Sequence, residues 1–285
     1  MSKRHTQRPG NIHSLLAGGF LLLAAVCFLE TGKEPLDRWK IRREYESLAR
    51  IAVKETEGNT TGAEGKRLGE TEPDLAGRIA PMAGAKEDSG GQAVSGSPVD
   101  FEKLRDINPD TVGWIRIPDT NIDYPIVQGS DNQAYLHKSF GGKMADGGCI
   151  FLDFESQRDL RGYNNIFYGH NMKDGTMFRD LLRYEDEAYL REHPYFEIYT
   201  PKETIHLKAL SCYYIQEDPG ARKTAFHDEE DFQAFVRKMI KPCPYARMPD
   251  GPVKNLYTLV TCSYQVEDGR TILLAVEADG EQKME

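Results

Sequence analysis

Short runs of apolar residues, separated by turn residues, dominate the chain from Val99 onward. The runs are rich in β-branched and aromatic residues, which is typical of β-strands rather than helices. Their number predicts a mainly β fold, either an antiparallel barrel or a sandwich. The predicted strands are Val112–Ile117, Ile122–Val127, Cys149–Asp153, Asn165–Tyr168, Tyr195–Thr200, Thr204–Ile215, Leu256–Thr261 and Thr271–Glu277.

One segment has the periodicity of an amphipathic helix instead. Its apolar residues recur at alternating spacings of three and one, and they predict a helix over Asp228–Lys241. Acidic residues crowd its start and basic residues its end, as the helix dipole favours, and Pro242 ends it. Shorter helical segments are predicted over Phe101–Asp106, Asp131–Lys138 and Thr176–Tyr184.

A longer apolar run lies near the N-terminus. Residues 9–29 carry no formal charge and follow the basic residues Lys3, Arg4 and Arg8. As a helix, this run would be about 31 Å long, which is the thickness of the hydrocarbon core of a bilayer. The run therefore predicts a single membrane-spanning helix over 9–29, preceded by a short head over 1–8.

Two other interpretations of this run compete with an uncleaved anchor. A secretory signal peptide has the same basic start, but no small-x-small cleavage site follows the run. A lipoprotein acceptor at Cys27 would require a small residue where Val26 stands. Basic residues also follow the span, so the positive-inside count does not favour an inside N-terminus. The short basic head still favours a cytoplasmic N-terminus, and we expect a single-pass protein of the cell membrane with its C-terminal part outside.

A helix-forming segment follows the span. Residues 30–54 contain Pro35 near their start and good helix formers after it, so we expect a juxtamembrane helix. A solvated stalk is favoured over a helix packed on a domain. The residues that could form an apolar stripe are Leu36, Trp39, Tyr45, Leu48 and Ile51.

The composition then changes over residues 55–98. These residues include nine glycines and no aromatic residue, so they cannot bury enough apolar surface to offset the entropy lost on ordering. We therefore predict a flexible linker over 55–98, a folded domain over 99–279 and a short tail over 280–285.

Charge and composition exclude several classes of protein. The formal net charge is −9, and residues 99–285 hold 22 Lys or Arg against 32 Asp or Glu. A domain this acidic repels phosphate backbones, which argues against binding to nucleic acid. A mean hydropathy of −0.57 excludes a polytopic membrane protein. Five cysteines without a C-x-x-C pair argue against a disulfide scaffold and against a structural zinc site.

Three polar residues stand at the ends of predicted strands, where a rigid frame can present reactive groups. His170 follows the fourth strand, Cys262 ends the seventh, and Arg270 opens the eighth. A thiol needs a nearby imidazole to become a nucleophile, and a guanidinium can stabilise the oxyanion that its attack creates. Arg270 lies eight residues after Cys262 across a turn, so adjacent antiparallel strands would bring both to one end of the fold. Taken singly, each residue also fits a structural role, as a core thiol, a turn histidine and a turn charge.

The sequence around Cys262 resembles that of a known family. Residues 258–262 read TLVTC and match the TLxTC signature of the sortases, the membrane-anchored transpeptidases of Gram-positive bacteria. Further segments resemble class B sortases, as does the helix that precedes the cysteine strand. These segments are 108–115 (NPDTVGWI), 122–128 (IDYPIVQ), 147–153 (GGCIFLD), 168–172 (YGHNM) and 174–178 (DGTMF).

The resemblance covers residues 99–279 and implies a fold and a reaction. The fold would be a closed eight-stranded sortase-type β-barrel with a few peripheral helices. Cys262 would be the nucleophile, His170 the acid/base partner and Arg270 the clamp on the oxyanion or substrate. Thr261 and Ser263 are further candidates for oxyanion or substrate contacts, the latter through its backbone N–H.

The implied reaction is a two-step acyl transfer. The enzyme would cleave a C-terminal sorting signal of an exported protein through a thioester. It would then transfer the acyl group to an amine of a peptidoglycan precursor or to a pilin lysine. The chemistry needs no cofactor and no metal. The acidic run 228–231 is interpreted as a helix start rather than as a calcium site.

One detail departs from the family pattern. Cys149 stands where many relatives carry serine, and we interpret it as a core residue.

Two rival functions stay open: an exported papain-like cysteine endopeptidase, and a non-catalytic sortase-like module that binds peptides. Papain-like enzymes place the cysteine before the histidine, whereas His170 precedes Cys262 here.

Overall fold

The computed structural model describes residues 39–52, 97–216, 222–249, 251–263 and 269–278, with the backbone alone for Cys262 and Ser263. Eight strands close into a barrel in the order β1-β2-β3-β4-β7-β8-β6-β5. The strands are β1 Thr111–Arg116, β2 Asp123–Val127, β3 Ile150–Leu152, β4 Asn164–Tyr168, β5 Tyr195–Tyr199, β6 Thr204–Gln216, β7 Leu256–Ser263 and β8 Gly269–Glu277. The predicted mainly β fold and all eight predicted strands are confirmed.

The barrel is mixed, so the antiparallel arrangement predicted from the sequence is wrong. β2 pairs with β3 in parallel, and β4 pairs with β7 in parallel. The remaining six pairs are antiparallel. Parallel neighbours need a long crossover instead of a hairpin, and the chain between β4 and β7 is long enough to contain β5, β6 and three helical segments. This crossover places the end of β4 beside the end of β7.

β7 and β8 are buried on both faces. Leu259 and Leu273 belong to the main core inside the barrel. Leu256 and Leu274, on the opposite faces of the same strands, belong to a second core with Phe232. This double burial explains why both strands read as nearly continuous apolar runs. The same burial fixes the positions of β7, which carries Cys262 near its end, and of β8, which carries Arg270 near its start.

The helices lie outside the barrel. They are α1 over residues 39–52, α2 Phe101–Ile107, the 3₁₀-helix Arg179–Glu185, α3 Glu187–Glu192 and α4 Glu229–Ile240. The predicted long helix is confirmed, since Asp228 is the N-cap of α4 and its side chain accepts a hydrogen bond from the Asp231 amide. The acidic run 228–231 is thus a helix start.

The helix predicted over Asp131–Lys138 is wrong, because this segment consists of turns. The Asp131 carboxylate accepts hydrogen bonds from the amides of residues 133 and 134, which starts a turn. The carbonyls of Tyr135 and His137 then accept from the Cys149 and Ala145 amides instead of from the next helical turn. Hydrogen bonds to amides 8 and 14 residues further along the chain thus replace the hydrogen bonds of a helix.

Helix α1 packs on the barrel, so its interpretation as a solvated stalk is wrong. Tyr45, Leu48 and Ala52 are buried in the main core. The Tyr45 hydroxyl donates to the Gly148 carbonyl at 2.9 Å, and its ring meets that of Tyr124 edge to face at 5.2 Å. The predicted stripe is only partly correct, because Trp39 and Ile51 are 52% and 37% exposed.

The packing of α1 predicts the effect of a substitution in it. Leu48→Ala is expected to reduce the free energy of unfolding by about 2–5 kcal/mol, because it leaves a cavity in the main core. Ile51→Ala, one turn away and more than one-third exposed, serves as the matched control and is expected to cost less than about 1 kcal/mol. Denaturant unfolding measures both. Equal costs for the two variants would mean that α1 does not contribute to the core in solution.

Several predicted regions lie outside the described residues. They are the head over 1–8, the span over 9–29, nearly all of the linker over 55–98 and the tail over 280–285. In the part of the chain that the structure describes, no helix has both the length and the apolar character needed to cross a membrane.

Candidate active site

The fold places His170 beside the strand that carries Cys262. Tyr168, the last residue of β4, pairs with Val260 of β7, and the Gly169 amide donates to the Val260 carbonyl at 3.2 Å. A Cβ atom at Gly169 would lie 2.7 Å from the ring of Phe178 and 2.5 Å from Ile150, so any larger residue here would force the surrounding core to shift. His170 follows directly and therefore emerges next to the end of β7.

Cys262 and Arg270 are direct cross-strand partners. The register of β7 and β8 pairs their Cα atoms, and it continues to Ser263 opposite Gly269. Directly opposed residues in antiparallel strands have Cα atoms about 4.5–5.5 Å apart. The predicted adjacency of the two residues is therefore confirmed for the backbone. The Arg270 guanidinium donates through Nη1 to the Gly269 carbonyl at 3.0 Å.

A cleft of about 250 Å³ connects these elements. His170 and Arg270 both line it, together with Val260 and Thr261, the two residues before Cys262. The structure thus brings the three predicted catalytic residues to one end of the barrel. A cavity of about 750 Å³ lies between α1 and the barrel, and His137 lines it, whereas His170 and Arg270 do not.

The His170 imidazole is held by two consecutive residues of the β2–β3 connection. Nε2 lies 2.8 Å from the Leu136 carbonyl oxygen. A carbonyl only accepts hydrogen bonds, so Nε2 carries a proton, and Nδ1 of the neutral ring is an acceptor. The ring of His137 stacks on that of His170, with centroids 5.4 Å apart and planes 26° from parallel. Sequence analysis did not find this support, since the segment was predicted to be helical.

The surroundings of His170 lower its pKa below the ordinary value of 6.5. Burial is the main cause, because it disfavours the charged imidazolium. The hydrogen bond with Leu136 opposes the change, the neighbouring His137 adds to it, and the Asp146 carboxylate opposes it. The ring is therefore mainly neutral at pH 7.

The lowered pKa of His170 makes the stability of the fold depend on pH. The unfolded chain takes up a proton near pH 6.5, before the folded protein does. Stability is thus complete above that pH and is lost as the pH falls through the lower pKa of the folded state. We expect the melting temperature of the wild type to fall further between about pH 8 and pH 5 than that of His170→Gln, which cannot titrate. Parallel curves in calorimetry would contradict this.

The described cysteines other than Cys262 are poorly suited to nucleophilic chemistry. Cys149, Cys212 and Cys243 are buried and unbridged. Burial raises the pKa of the Cys149 thiol to about 12 and that of Cys212 well above its ordinary value. The Cys149 thiol also donates to the Lys138 carbonyl at 3.1 Å. The interpretation of Cys149 as a core residue is confirmed.

Comparison with known proteins assigns the family. The sequence model of the sortase domain matches residues 115–278, more than half of the chain. The chain belongs to the sortase family. It is 34% identical over 177 residues to sortase B of Listeria monocytogenes, which covers 61% of this chain and 72% of that protein. It is 30% identical over 178 residues to sortase B of Staphylococcus aureus, covering 61% and 73%.

Solved structures of sortases have the same fold. Clostridium perfringens sortase B superposes with a TM-score of 0.59 at 32% identity, over 63% of this chain and all of that chain. A complex described as Staphylococcus aureus sortase B with substrate gives a TM-score of 0.57 at 30% identity, over 62% and 84%. These likenesses confirm the expected class B, and the protein is therefore a cysteine transpeptidase of the sortase type.

Two further site candidates of this sortase lie on the same strand. Thr261 borders the cleft, but its hydroxyl is buried and has no hydrogen-bond partner among the described residues. It shares its alternating position with Leu259, which is in the barrel core. Ser263 pairs with Gly269 at the end of β7. The roles of both residues in oxyanion or substrate binding stay predictions.

One wall of the cleft contains a charged cluster around Asp153 that was not predicted from the sequence. Asp153 follows β3 and is fully buried, and it contacts Asn132, Tyr168 and Arg222, all of which line the cleft. The available signal was an aspartate directly after the entirely apolar run 150–152. Its partners, however, come from three distant parts of the chain.

Proposed function

We propose that this sortase cleaves a C-terminal sorting signal of exported proteins and joins the new carboxyl end to an amine. The acceptor would be an amine of a peptidoglycan precursor or a pilin lysine. The observation that carries the proposal is the convergence of His170 and Arg270 on one cleft, with Cys262 directly paired to Arg270.

The first half-reaction forms a thioester. His170 accepts the proton of the Cys262 thiol, and the thiolate attacks the carbonyl carbon of the scissile peptide bond. Arg270 stabilises the resulting oxyanion, because its guanidinium stays charged at every working pH. The C–N bond then breaks, and the imidazolium of His170 protonates the leaving amine.

The second half-reaction releases the enzyme. A neutral amine attacks the thioester carbonyl, and His170 takes up the proton that the amine loses. The C–S bond breaks, an amide forms, and Cys262 leaves as thiolate with His170 as imidazolium. Solved relatives described as sortase B with substrate and as sortase B with triglycine support a peptide donor and an amine acceptor of this kind.

The proposal includes attachment to the membrane by the apolar run over 9–29, with the barrel on the outer side. An enzyme that acts on exported proteins and on precursors of the wall must itself be exported. The proposed orientation rests on this need for export and on the short basic head of Lys3, Arg4 and Arg8, and not on the positive-inside count, because basic residues also follow the run.

Two assays test the function against its rivals. The purified protein is incubated with a fluorogenic library of five-residue peptides, with and without triglycine or a lysine peptide, and the products are identified by mass spectrometry. We expect cleavage and an amide-linked product with one of the amines. Hydrolysis alone would favour an endopeptidase. No turnover, together with no labelling of Cys262 by a thiol-reactive peptide, would favour a non-catalytic binding module.

A further inference from the structure

The buried carboxylate of Asp153 organises one wall of the cleft. Its Oδ2 atom accepts hydrogen bonds from Asn132 Nδ2 at 2.8 Å and from the Tyr168 hydroxyl at 2.9 Å. It also accepts from Arg222, through Nε at 3.2 Å and Nη2 at 3.1 Å. The Glu155 amide donates to the other oxygen, Oδ1. A fully buried carboxylate is tolerated only with such partners, so the cluster sets the positions of all its members.

Arg222 is held from its own chain segment as well. The carbonyl of the next residue, Lys223, accepts a hydrogen bond from Asn164 of β4 at 3.0 Å. The Lys223 ammonium pairs with the Asp231 carboxylate in the first turn of α4. The guanidinium of Arg222 is therefore positioned both through its backbone and through Asp153.

The Arg222 side chain nevertheless remains 44% exposed where it lines the cleft with His170 and Arg270. A guanidinium has five N–H donors in one plane, and two of them suffice for the bonds to Asp153. The Glu155 carboxylate lies 3.7 Å away and is itself half exposed, so it competes only weakly. With respect to the described residues, donors of Arg222 are thus available to a molecule bound in the cleft.

The charges in the cleft select the kind of molecule. A protonated acceptor amine would meet two guanidinium groups, those of Arg222 and Arg270, whereas an extended peptide presents carbonyl oxygens. We propose that Arg222 binds the acyl-donor peptide by donating hydrogen bonds to one of its carbonyl oxygens, with Asp153 as the residue that positions the guanidinium. This inference rests on the proposed function, since it names a binding contact for the same substrate.

Equilibrium binding tests the contact without requiring turnover. Fluorescein-labelled peptides from the five-residue library are titrated by anisotropy into Cys262→Ala protein, and the tightest binder is measured again with Arg222→Ala added. We expect Kd to rise about tenfold or more, as for a lost hydrogen bond from a charged donor. Arg222→Lys should restore only part of the affinity, because one ammonium cannot span both Asp153 and the peptide.

The control is Arg191→Ala on the same Cys262→Ala background. Arg191 lies in α3, pairs with Glu187 on an exposed helix face and does not line the cleft, so its loss should leave Kd unchanged. A purely structural role of Arg222 is tested in the wild-type background, where alkylation of Cys262 by iodoacetamide needs no peptide contact. We expect Arg222→Lys, which keeps a cation beside Asp153, to lower peptide affinity while leaving the alkylation rate unchanged.

Each other outcome would overturn the inference. One such outcome is an unchanged peptide Kd when Arg222→Ala is added to Cys262→Ala protein. Another is that Cys262→Ala protein binds no peptide, with or without the Arg222 substitution. A third is that substitution of Arg222 lowers peptide affinity and the rate of Cys262 alkylation by the same factor. The inference would also be overturned if Arg222→Ala weakened the binding of triglycine but not that of the peptide, because Arg222 would then bind the acceptor. The proposed function fails separately, if the wild-type protein binds peptides through Arg222 and forms no acyl-transfer product.

Discussion

Cys262→Ala is expected to abolish both cleavage of the sorting peptide and transfer to the amine. Removing a covalent nucleophile removes the reaction route itself, so the loss should reach at least about 10³-fold in kcat/KM. The fold should persist, since β7 is paired with β8 along its whole length and with β4 from Leu256 to Val260, and alanine is accepted in such a strand. Mass spectrometry of the acyl-enzyme and product assays measure the effect, and the melting temperature checks the fold.

Cys149→Ala is the matched control for this experiment. Cys149 is a cysteine with a thiol pKa raised to about 12 by burial, so it is protonated at any working pH. The variant should keep most of its activity, with at most a lower melting temperature, because the hydrogen bond from the Tyr45 hydroxyl to Cys149 Sγ at 3.5 Å is lost. If instead Cys262→Ala kept turnover while Cys149→Ala lost it, the assignment of the nucleophile would be wrong.

Arg270→Lys should be nearly as damaging as Arg270→Ala. A guanidinium offers several N–H groups in a rigid plane, whereas an ammonium is a compact point charge of different reach. Loss of one oxyanion donor costs about 10²–10³ in rate in other acyl-transfer enzymes, and we expect at least this loss in kcat/KM for the lysine variant. The direct pairing of Arg270 with Cys262 makes the site sensitive to this geometry.

Arg191→Lys provides the comparison for a surface arginine. Arg191 forms an exposed i,i+4 pair with Glu187, a type of interaction that lysine maintains. Its kinetics should match the wild type. If Arg270→Lys behaved in the same way, its contribution would be electrostatic steering, and the Ser263 N–H would be the main candidate for the oxyanion donor.

The strands of the site could be predicted because their signal is local. β7 and β8 are nearly continuous apolar runs, and this pattern follows from burial on both faces. Cys262 and Arg270 interrupt the apolar pattern at its ends, so they were recognisable as chemistry-bearing residues before any contact was known. The turn between them also predicted that they would be neighbours, since a short connection joins antiparallel strands.

The wall of the cleft could not be predicted in this way. Asp153, Asn132 and Arg222 meet at one carboxylate oxygen, although they are separated along the chain by the crossovers of the barrel. The Leu136 carbonyl likewise reaches His170 only because the segment around it forms turns. No local periodicity carries information about such contacts.

The sequence by itself determined the eight strands and the α4 helix, because their side-chain patterns lie within a few residues and depend on burial and turn chemistry. The sortase family and the candidate roles of Cys262, His170 and Arg270 followed instead from the resemblance of motifs such as TLVTC to those of known proteins. The tertiary structure decided the parallel pairing of β4 with β7, the packing of α1 through Tyr45 and Leu48, and the cluster around Asp153. In each case the deciding energy comes from groups far apart in the chain, which meet only when the barrel closes.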